Sequence, residues 1–305
     1  MSGRLGGGTT DVAHRPAGQG QHMRTVRQLI DAMGESDALE APADRVADSV
    51  RGWFAARPVK NALSGVWLGH RLHPLLTDAV IGTWASAGLL DLLGDRDDQP
   101  AAQRLVGAGL VASVPTVAAG LSDYSDLYDH GRRIALVHAM AADTAAVLQL
   151  ASLLARRGGN PSRGRWLSLA ALGVVGAAGY LGGHLSQVLG VGVDHTAFDE
   201  GPKDWDATDI VAADVTAAPQ VAMAGEHQVL LARVDGAIVA LANRCSHAGW
   251  PIDEGPVEDD CITCPHHGSV FRLTDGTVVR GPAASPQLRY HVRERDGLVE
   301  LRGPR

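Results

Sequence analysis

The sequence predicts a multi-domain protein in which a four-helix transmembrane bundle is followed by a small all-β domain. Two observations predict this order. Between residues 74 and 193 the charges lie in short clusters separated by long apolar runs. After residue 208 the chain changes to short β-rich segments separated by Asp-Gly steps. The length of 305 residues suits about two domains, and the 37 glycines suit closely packed membrane helices.

Composition argues against two classes of protein. The net charge is −7 and the Lys and Arg residues are scattered, whereas a nucleic-acid-binding protein has a basic face, so we expect no nucleic-acid partner. Three cysteines in 305 residues are too few for a disulfide scaffold. A cysteine that matters for function is therefore expected to bind a metal or to act in redox chemistry.

Four apolar runs are candidates for membrane spans. Residues 166–193 contain 28 positions without Asp, Glu, Lys or Arg, with His184 among them, and residues 105–121 contain 17 such positions. About 20 helical residues cross the hydrocarbon core, so the first run is long enough and the second nearly so. The other two runs, with their ionisable residues, are 66–93 with Asp78 and Asp91, and 134–155 with His138 and Asp143.

The alternative is a soluble bundle with unusually Ala-rich and Gly-rich helices. A run of 28 uncharged positions exceeds what a soluble core helix needs, which favours the membrane and makes lipid a partner. We expect no cleaved signal peptide, because the first apolar stretch begins only after about 60 residues.

Residues 1–62 form a polar segment ahead of the first span. Four apolar residues in this segment recur at i, i+4, i+7 and i+8, as on one helix face: Val46, Val50, Trp53 and Phe54. The spacing predicts an amphipathic helix lying at the membrane interface. A surface helix that packs on the bundle is the alternative.

An internal repeat relates the two halves of residues 63–193, the predicted four-span membrane domain. His73 and Asp78 open the first span, and His138 and Asp143 open the third, 65 residues later. Glycine-containing segments close the second and fourth spans at an offset of 63 to 64 residues. The sequence therefore predicts a duplicated helical hairpin.

The repeat brings three histidines to similar depth near one face of the bundle. We expect His73, His138 and His184 to form one polar cluster, because ionisable residues within a membrane usually face the bundle interior or a cavity. Two interpretations stay open. The histidines hold the helices together through hydrogen bonds, or they form a site for a haem, a metal or a quinone.

The four-span segment resembles an uncharacterised four-helix bacterial membrane family. The first span of that family carries a His-Pro and acidic pattern, which here is His73-Pro74. The resemblance covers roughly residues 63–193, and it implies a membrane bundle without implying an activity.

The chain after the bundle divides into a linker and a β-domain. Residues 194–207 are polar and contain Gly and Pro, which predicts a linker. Over residues 208–305, three Asp-Gly steps between apolar, β-branched segments predict three tight hairpins. The steps are Asp235-Gly236, Asp275-Gly276 and Asp296-Gly297.

Two loops of this domain carry the most specific motif of the chain. Cys245 and His247 form C-x-H, and 16 residues further on Cys264 and His267 form C-x2-H. The pattern resembles the Rieske family over residues 208–302, which implies an antiparallel β-sandwich with one 2Fe–2S cluster. By this resemblance Cys245 and Cys264 bind one iron as thiolates. His247 and His267 bind the other iron as imidazoles.

A zinc site is the alternative for these four residues, because Cys2His2 zinc sites use the same ligand types. Cys261 and Cys264 even have the two-residue spacing of a structural zinc loop. Cys261, however, lies in the run that leads into the second loop, so we expect a buried strand thiol there.

The motif departs from the high-potential Rieske proteins of respiratory complexes. Those proteins carry a second cysteine in each loop, where this chain has Trp250 and His266, so no disulfide braces the loops. This difference favours the ferredoxin-like branch. The resemblance implies that Ser269 donates a hydrogen bond to a cluster sulfur, whereas Phe271 lacks the hydroxyl of the Tyr found there in high-potential proteins.

We interpret the chain as a membrane-anchored electron carrier that passes single electrons to or from an unknown redox protein partner or a quinone. The chain contains no nucleotide-binding motif and no evident 2-His-1-carboxylate iron site on a catalytic domain. The alternatives are a membrane oxidoreductase that uses a haem or quinone in the His-lined bundle, and a redox sensor.

Four spans are an even number, so both chain ends are expected on one side of the membrane. Near the spans, seven positive residues fall on that side and six on the other, so the positive-inside rule hardly decides the orientation. The absence of an export signal and of a bracing disulfide favours the cytoplasmic side for the amino terminus and the Rieske domain.

Overall fold

The computed structural model describes residues 17–304. The start of the polar segment expected over residues 1–62 lies outside them. Seven α-helices of the described chain precede the β-domain: α1 (Ala17–Gly34), α2 (Asp37–Arg51), α3 (Arg57–Ser64), α4 (Leu72–Leu93), α5 (Gln99–Tyr124), α6 (Asp129–Arg157) and α7 (Pro161–Gln187).

The four predicted spans are helices α4 to α7, each of which is long and apolar enough to cross a membrane. Large apolar side chains such as Leu89, Val111 and Val147 project from their outer surface, as expected of a surface that contacts lipid. Helix α7 begins at Pro161, where a proline costs no hydrogen bond, and the Asn160 side chain accepts a hydrogen bond from the Arg163 amide at 3.1 Å.

The four helices pack as two neighbouring hairpins. Helix α4 packs on α5 and α7, while α6 packs on α7 and α5. Helices α4 and α6 therefore lie at opposite corners of the bundle. Helices α4 and α6 are the corresponding helices of the two copies that the repeat predicts.

The charges predicted within the spans have two different environments. Asp91 on α4 and Arg156 on α6 form a fully buried ion pair at 2.5 Å, and Arg156 also donates to Gln99 on α5 at 2.9 Å. This network joins three helices at the end of the bundle far from the β-domain. Asp78 and Asp143, by contrast, are exposed on the outside.

The amino-terminal helices cover one side of the bundle. Helices α1 and α2 pack on α6, with Ala43, Ala47 and Val50 buried. The Tyr124 hydroxyl donates to the Ala43 carbonyl at 2.9 Å. The amphipathic helix thus lies on the bundle, as in the second of the two interpretations. Val50 and Phe54 of the predicted apolar face are buried, whereas Trp53 lies beyond the end of α2 and is 67% exposed.

The carboxy-terminal domain is all-β, with three antiparallel sheets of order β1-β10-β9, β2-β3-β4 and β5-β6-β7-β8. This confirms the fold class. The strands are β1 (Asp206–Val211), β2 (Gln220–Ala224), β3 (His227–Val234), β4 (Ala237–Ala242), β5 (Val257–Glu258), β6 (Cys261–Thr263), β7 (Val270–Arg272), β8 (Val278–Arg280), β9 (His291–Arg295) and β10 (Leu298–Arg302).

Two of the three predicted tight hairpins are present. Asp235 and Gly236 alone join β3 to β4, with φ of 49° and 82°, and a second Asp-Gly step joins β9 to β10 in the same way. Positive φ at both central residues is the reason why Asp-Gly is favoured in such turns. The prediction for Asp275-Gly276 is wrong in length, because residues 273–277 all lie between β7 and β8.

Candidate iron–sulfur site

Two loops with the same backbone fold present the four candidate ligands. In the loop after β4, the Cys245 amide donates to the carbonyl of the fifth residue along, Trp250, at 2.7 Å, and the Gly249 amide donates back to Cys245 at 2.8 Å. In the loop between β6 and β7, Cys264 makes the corresponding bonds with Ser269 and Gly268. Both loop glycines have positive φ, which explains the choice of glycine.

The loops bring the four side chains together as two pairs. The thiols of Cys245 and Cys264 are both 1% exposed and hydrogen-bond to each other. The rings of His247 and His267 lie with centroids 4.7 Å apart. A tetrahedral zinc ion would draw four donors to one point, whereas a 2Fe–2S cluster takes the thiolates on one iron and the imidazoles on the other. The paired arrangement fits the cluster.

The orientation of the imidazoles provides a second test of the fit. The Nδ1 atoms of His247 and His267 are buried and have no hydrogen-bond partner among the described residues. A buried nitrogen without a partner costs about 1–3 kcal/mol. Both atoms are therefore suited to bind a metal, and the residues present fit a 2Fe–2S cluster.

The environment favours the metal-binding protonation state at three of the four candidate ligands, all except Cys245. The hydrogen bond between the two thiols raises the pKa of Cys245 and lowers the pKa of Cys264 to about 6. Burial lowers the pKa of His247 well below its usual value and that of His267 to about 4. Neutral imidazoles and thiolates are the forms that bind metal.

Cys261 lies apart from this group. It is a residue of β6 and pairs with Arg272 of β7. The sequence predicted a buried thiol, but Cys261 is only half-buried. Burial raises the pKa of its thiol, which keeps it protonated. The structure thus gives no geometric reason to add Cys261 to the four candidate ligands.

Ser269 lies at the base of the second loop and is fully buried. Its hydroxyl oxygen accepts a hydrogen bond from the Ala283 amide at 2.9 Å. The hydroxyl proton remains available to donate. Phe271 is also fully buried and packs in the same apolar cluster as Cys245 and Cys264.

Sequence reasoning missed Gln287, which is buried between the first loop and its neighbours. Its Oε1 accepts from the Ser246 amide at 3.1 Å, and its Nε2 donates to the carbonyls of Ala242 and Arg244. One side chain therefore satisfies three backbone groups around the first candidate ligand. No pattern marks this position in the sequence, because the residue lies in an irregular segment.

The two candidate imidazoles line a cavity of about 520 Å³ between the loops and the end of the bundle. Arg71, Asp123 and His195 line the same cavity. The ring of Tyr128, just before α6, lies 5.1 Å from that of His267. The histidine edge of the site thus faces the helix ends, which the sequence did not predict.

Helix α3 links the two domains. The Asn61 side chain donates to the Val279 carbonyl at 3.0 Å and accepts from the Gly281 amide at 2.9 Å. One residue earlier, Lys60 is buried against the end of α5 and pairs with Asp126 at 2.6 Å. Burial lowers the pKa of Lys60 and raises that of Asp126.

The structure brings together two of the three predicted bundle histidines. The rings of His73 and His138 lie 6.4 Å apart, and each Nδ1 bonds a backbone carbonyl of the next helix. His184 lies near the same end of the bundle. Within the described residues its ring contacts neither of the other two.

Two family models match the chain. Residues 207–294 match the Rieske 2Fe-2S domain, and residues 69–195 match DUF2231, described as a predicted membrane protein. The anthranilate 1,2-dioxygenase ferredoxin subunit of Burkholderia cepacia is 31% identical over 83 residues, which cover 27% of this chain and 77% of that protein.

Further relatives match the same domain. The ferredoxin component of biphenyl 2,3-dioxygenase from Rhodococcus jostii (strain RHA1) is 37% identical over 82 residues, or 26% of this chain and 76% of that protein. The solved structure of Sphingomonas yanoikuyae B1 ferredoxin is 25% identical, with a TM-score of 0.31, and the match covers 33% of this chain and all of that one.

The chain belongs to the Rieske family through its β-domain, and its bundle matches the family model DUF2231, a predicted membrane protein. Both resemblances predicted from the sequence are confirmed. A Rieske ferredoxin-like domain implies a 2Fe–2S cluster and electron transfer. The membrane domain and its four apolar helices imply anchoring in a membrane.

Proposed function

We propose that the protein is a membrane-anchored electron carrier, in which the Rieske domain exchanges single electrons with a redox partner. One observation carries the proposal. Two loops with corresponding backbone hydrogen bonds bring two buried thiols and two imidazoles together, and among the described residues the buried Nδ1 atoms have no partner. Cys245 and Cys264 would hold one iron of the cluster, and His247 and His267 the other.

The bound cluster supplies reversible one-electron chemistry. The replacement of two thiolates by neutral imidazoles removes negative charge, which raises the potential of Rieske clusters to roughly −150 to +300 mV. The chain contributes the positioning. Its twin loops fix the ligands, Gln287 satisfies the backbone of the first loop, and the buried surroundings of both cysteines exclude water.

The relatives support one class of partner. Two of them are named as the ferredoxin subunit or component of a dioxygenase. We therefore favour a redox protein as partner, with the membrane bundle confining the carrier to the lipid surface. We also favour the cytoplasmic side for the Rieske domain, and a reporter fused after residue 305 that is active only outside the cell would contradict this orientation.

A second candidate function is a membrane oxidoreductase that uses a haem or a quinone held in the bundle. The contact between His73 and His138 across the bundle favours it. Absorption bands of a haem in the purified protein distinguish this function from that of a simple anchored carrier.

Voltammetry of the full chain in detergent tests the electron-carrier function. We expect a reversible one-electron wave for the wild type and for Cys261→Ala, because Cys261 is not a ligand. Cys245→Ala and His267→Ala should each abolish the wave, since either change removes one ligand. Retention of an unchanged wave in Cys245→Ala would contradict the assignment.

A further inference from the structure

His73 and His138 lie at equivalent positions of the two hairpins and meet inside the bundle. His73 is near the start of α4 and His138 is on α6, and these helices occupy opposite corners. Their rings are nevertheless 6.4 Å apart and nearly perpendicular. The two imidazoles therefore approach each other across the middle of the four helices.

Each ring is held by the same set of contacts. His73 Nδ1 lies 3.0 Å from the Thr116 carbonyl of α5, and His138 Nδ1 lies 2.8 Å from the Ala178 carbonyl of α7. A glycine follows each carbonyl by four residues, Gly120 in the first hairpin and Gly182 in the second. A Cβ at Gly120 would come within 2.9 Å of the His73 ring, so glycine makes room for it.

These hydrogen bonds determine which nitrogen of each ring is free. A carbonyl oxygen only accepts, so each Nδ1 carries the proton and each Nε2 carries a lone pair. Within the described residues neither Nε2 makes a hydrogen bond. Hydrogen bonds that merely hold helices together explain the Nδ1 contacts but leave both lone pairs unused. An imidazole whose second nitrogen donates to a carbonyl is instead typical of a metal ligand.

From this geometry we infer that His73 and His138 bind one transition-metal centre through their two Nε2 atoms. Imidazole nitrogens about 2.0–2.1 Å from one metal, on opposite sides of it, place the ring centres about 6 Å apart. The observed 6.4 Å agrees with this distance. The centres of four-helix bundles commonly hold such sites.

The surroundings limit the charge of this metal centre. Both ligands are neutral, and the carboxylates of Asp78 and Asp143 are on the exposed side of their helices. A bare divalent ion would therefore stay uncompensated in a medium of low dielectric constant. We therefore expect a metal centre of low charge that accepts two imidazoles. Haem iron, whose porphyrin supplies negative charge, and a cuprous ion both meet this requirement.

The position suggests why such a centre is useful. Arg71, two residues before His73, lines the cavity that also contains His247 and His267. The start of α4, which carries His73, therefore lies at the end of the bundle that faces the candidate cluster. This inference deepens the oxidoreductase candidate and does not depend on the anchored-carrier function, because a cluster forms with or without a second metal.

Metal and haem analysis of the purified full chain tests the inference. We expect a saturating one-to-one ratio of haem or copper to protein, either as isolated or after titration. Separate titrations with ferric haemin and with Cu(I) show which of the two centres the site binds. Zn²⁺ should show no saturable binding. His73→Gln and His138→Gln should each lower the affinity by at least roughly 10–100-fold, because mutation of a residue that only supports a metal ligand already costs this much.

His184→Gln is the matched control, since this histidine lies near the same end without touching the pair, and it should bind like the wild type. The EPR signal of the Rieske cluster, measured in each variant, reports whether the chain has folded and whether the cluster proposal stands. Absence of saturable haemin and Cu(I) binding in the wild type would overturn the inference. Unchanged binding in His73→Gln, or equal loss in His184→Gln, would also overturn it.

Discussion

Two buried nitrogens and two buried sulfurs define the candidate cluster site at the scale of single residues. Their spacing in the sequence predicted the site, because Rieske ligands lie close together within each of two loops. The supporting side chains were not predictable in the same way. Gln287 and Tyr128 reach the site through contacts made only when distant segments fold together.

We expect Ser269 to tune the potential of the cluster. Its oxygen already accepts from Ala283, so its proton is free to donate to a cluster sulfur, which stabilises the more negative reduced state. A hydrogen bond to a charged group is worth about 1.5–3 kcal/mol, so Ser269→Ala should lower the potential by roughly 60 to 130 mV. Voltammetry measures this shift.

Two further variants sharpen the comparison. Phe271→Tyr should raise the potential, because it adds a hydroxyl to the group of packed side chains that includes Cys245 and Cys264. Ser285→Ala is the control, since its hydroxyl is directed to the Gly69 carbonyl, and it should leave the potential unchanged. An unshifted potential in Ser269→Ala would mean that its hydroxyl points away from the cluster.

Gln287 should matter for stability rather than for the potential. Gln287→Leu leaves three backbone groups without partners, and each buried orphan costs about 1–3 kcal/mol. We expect the loss of cluster absorbance in urea to move to lower denaturant concentration. Gln220→Leu is the matched control, because the Gln220 Nε2 has no partner to lose. Equal midpoints for the two variants would contradict this role.

At the scale of elements, the sequence predicted those whose pattern is local. The four spans follow from apolar length, and two hairpins follow from Asp-Gly steps whose backbone needs positive φ. The β7–β8 connection is longer than predicted, because Asp275 caps a wider turn by accepting from the Thr277 amide at 2.9 Å. The role of α3 escaped prediction, since its partners lie 62 to 220 residues away.

Helix α3 should hold the Rieske domain against the bundle through Asn61. Asn61→Ala removes two hydrogen bonds, each worth about 0.5–1.5 kcal/mol. We expect about tenfold faster hydrogen exchange at the Gly281 amide, which donates to Asn61. Asn160→Ala, at the opposite end of the bundle, is the control. Unchanged exchange at Gly281 would show that other contacts hold the domains together.

At the scale of the whole molecule, the domain contact places the histidine edge of the site against the helix ends. Arg71 and Asp123 form an ion pair at 2.7 Å beside this edge. The arrangement combines a membrane bundle that begins and ends on one side with a redox domain on that same side. The even number of spans predicted that both chain ends lie on one side. The cavity of about 520 Å³ between the domains was not predictable from the sequence, because distant segments form it.

The central claim is that the four loop residues hold a 2Fe–2S cluster on a membrane-anchored chain. EPR of the reduced membrane fraction, together with iron, sulfide and zinc analysis, tests it most directly. We predict a 2Fe–2S signal that sediments with the membranes, with two irons and two sulfides per chain, retained in Cys261→Ala and lost in Cys264→Ala. Stoichiometric zinc without this signal, or an equal signal in Cys264→Ala, would contradict the claim.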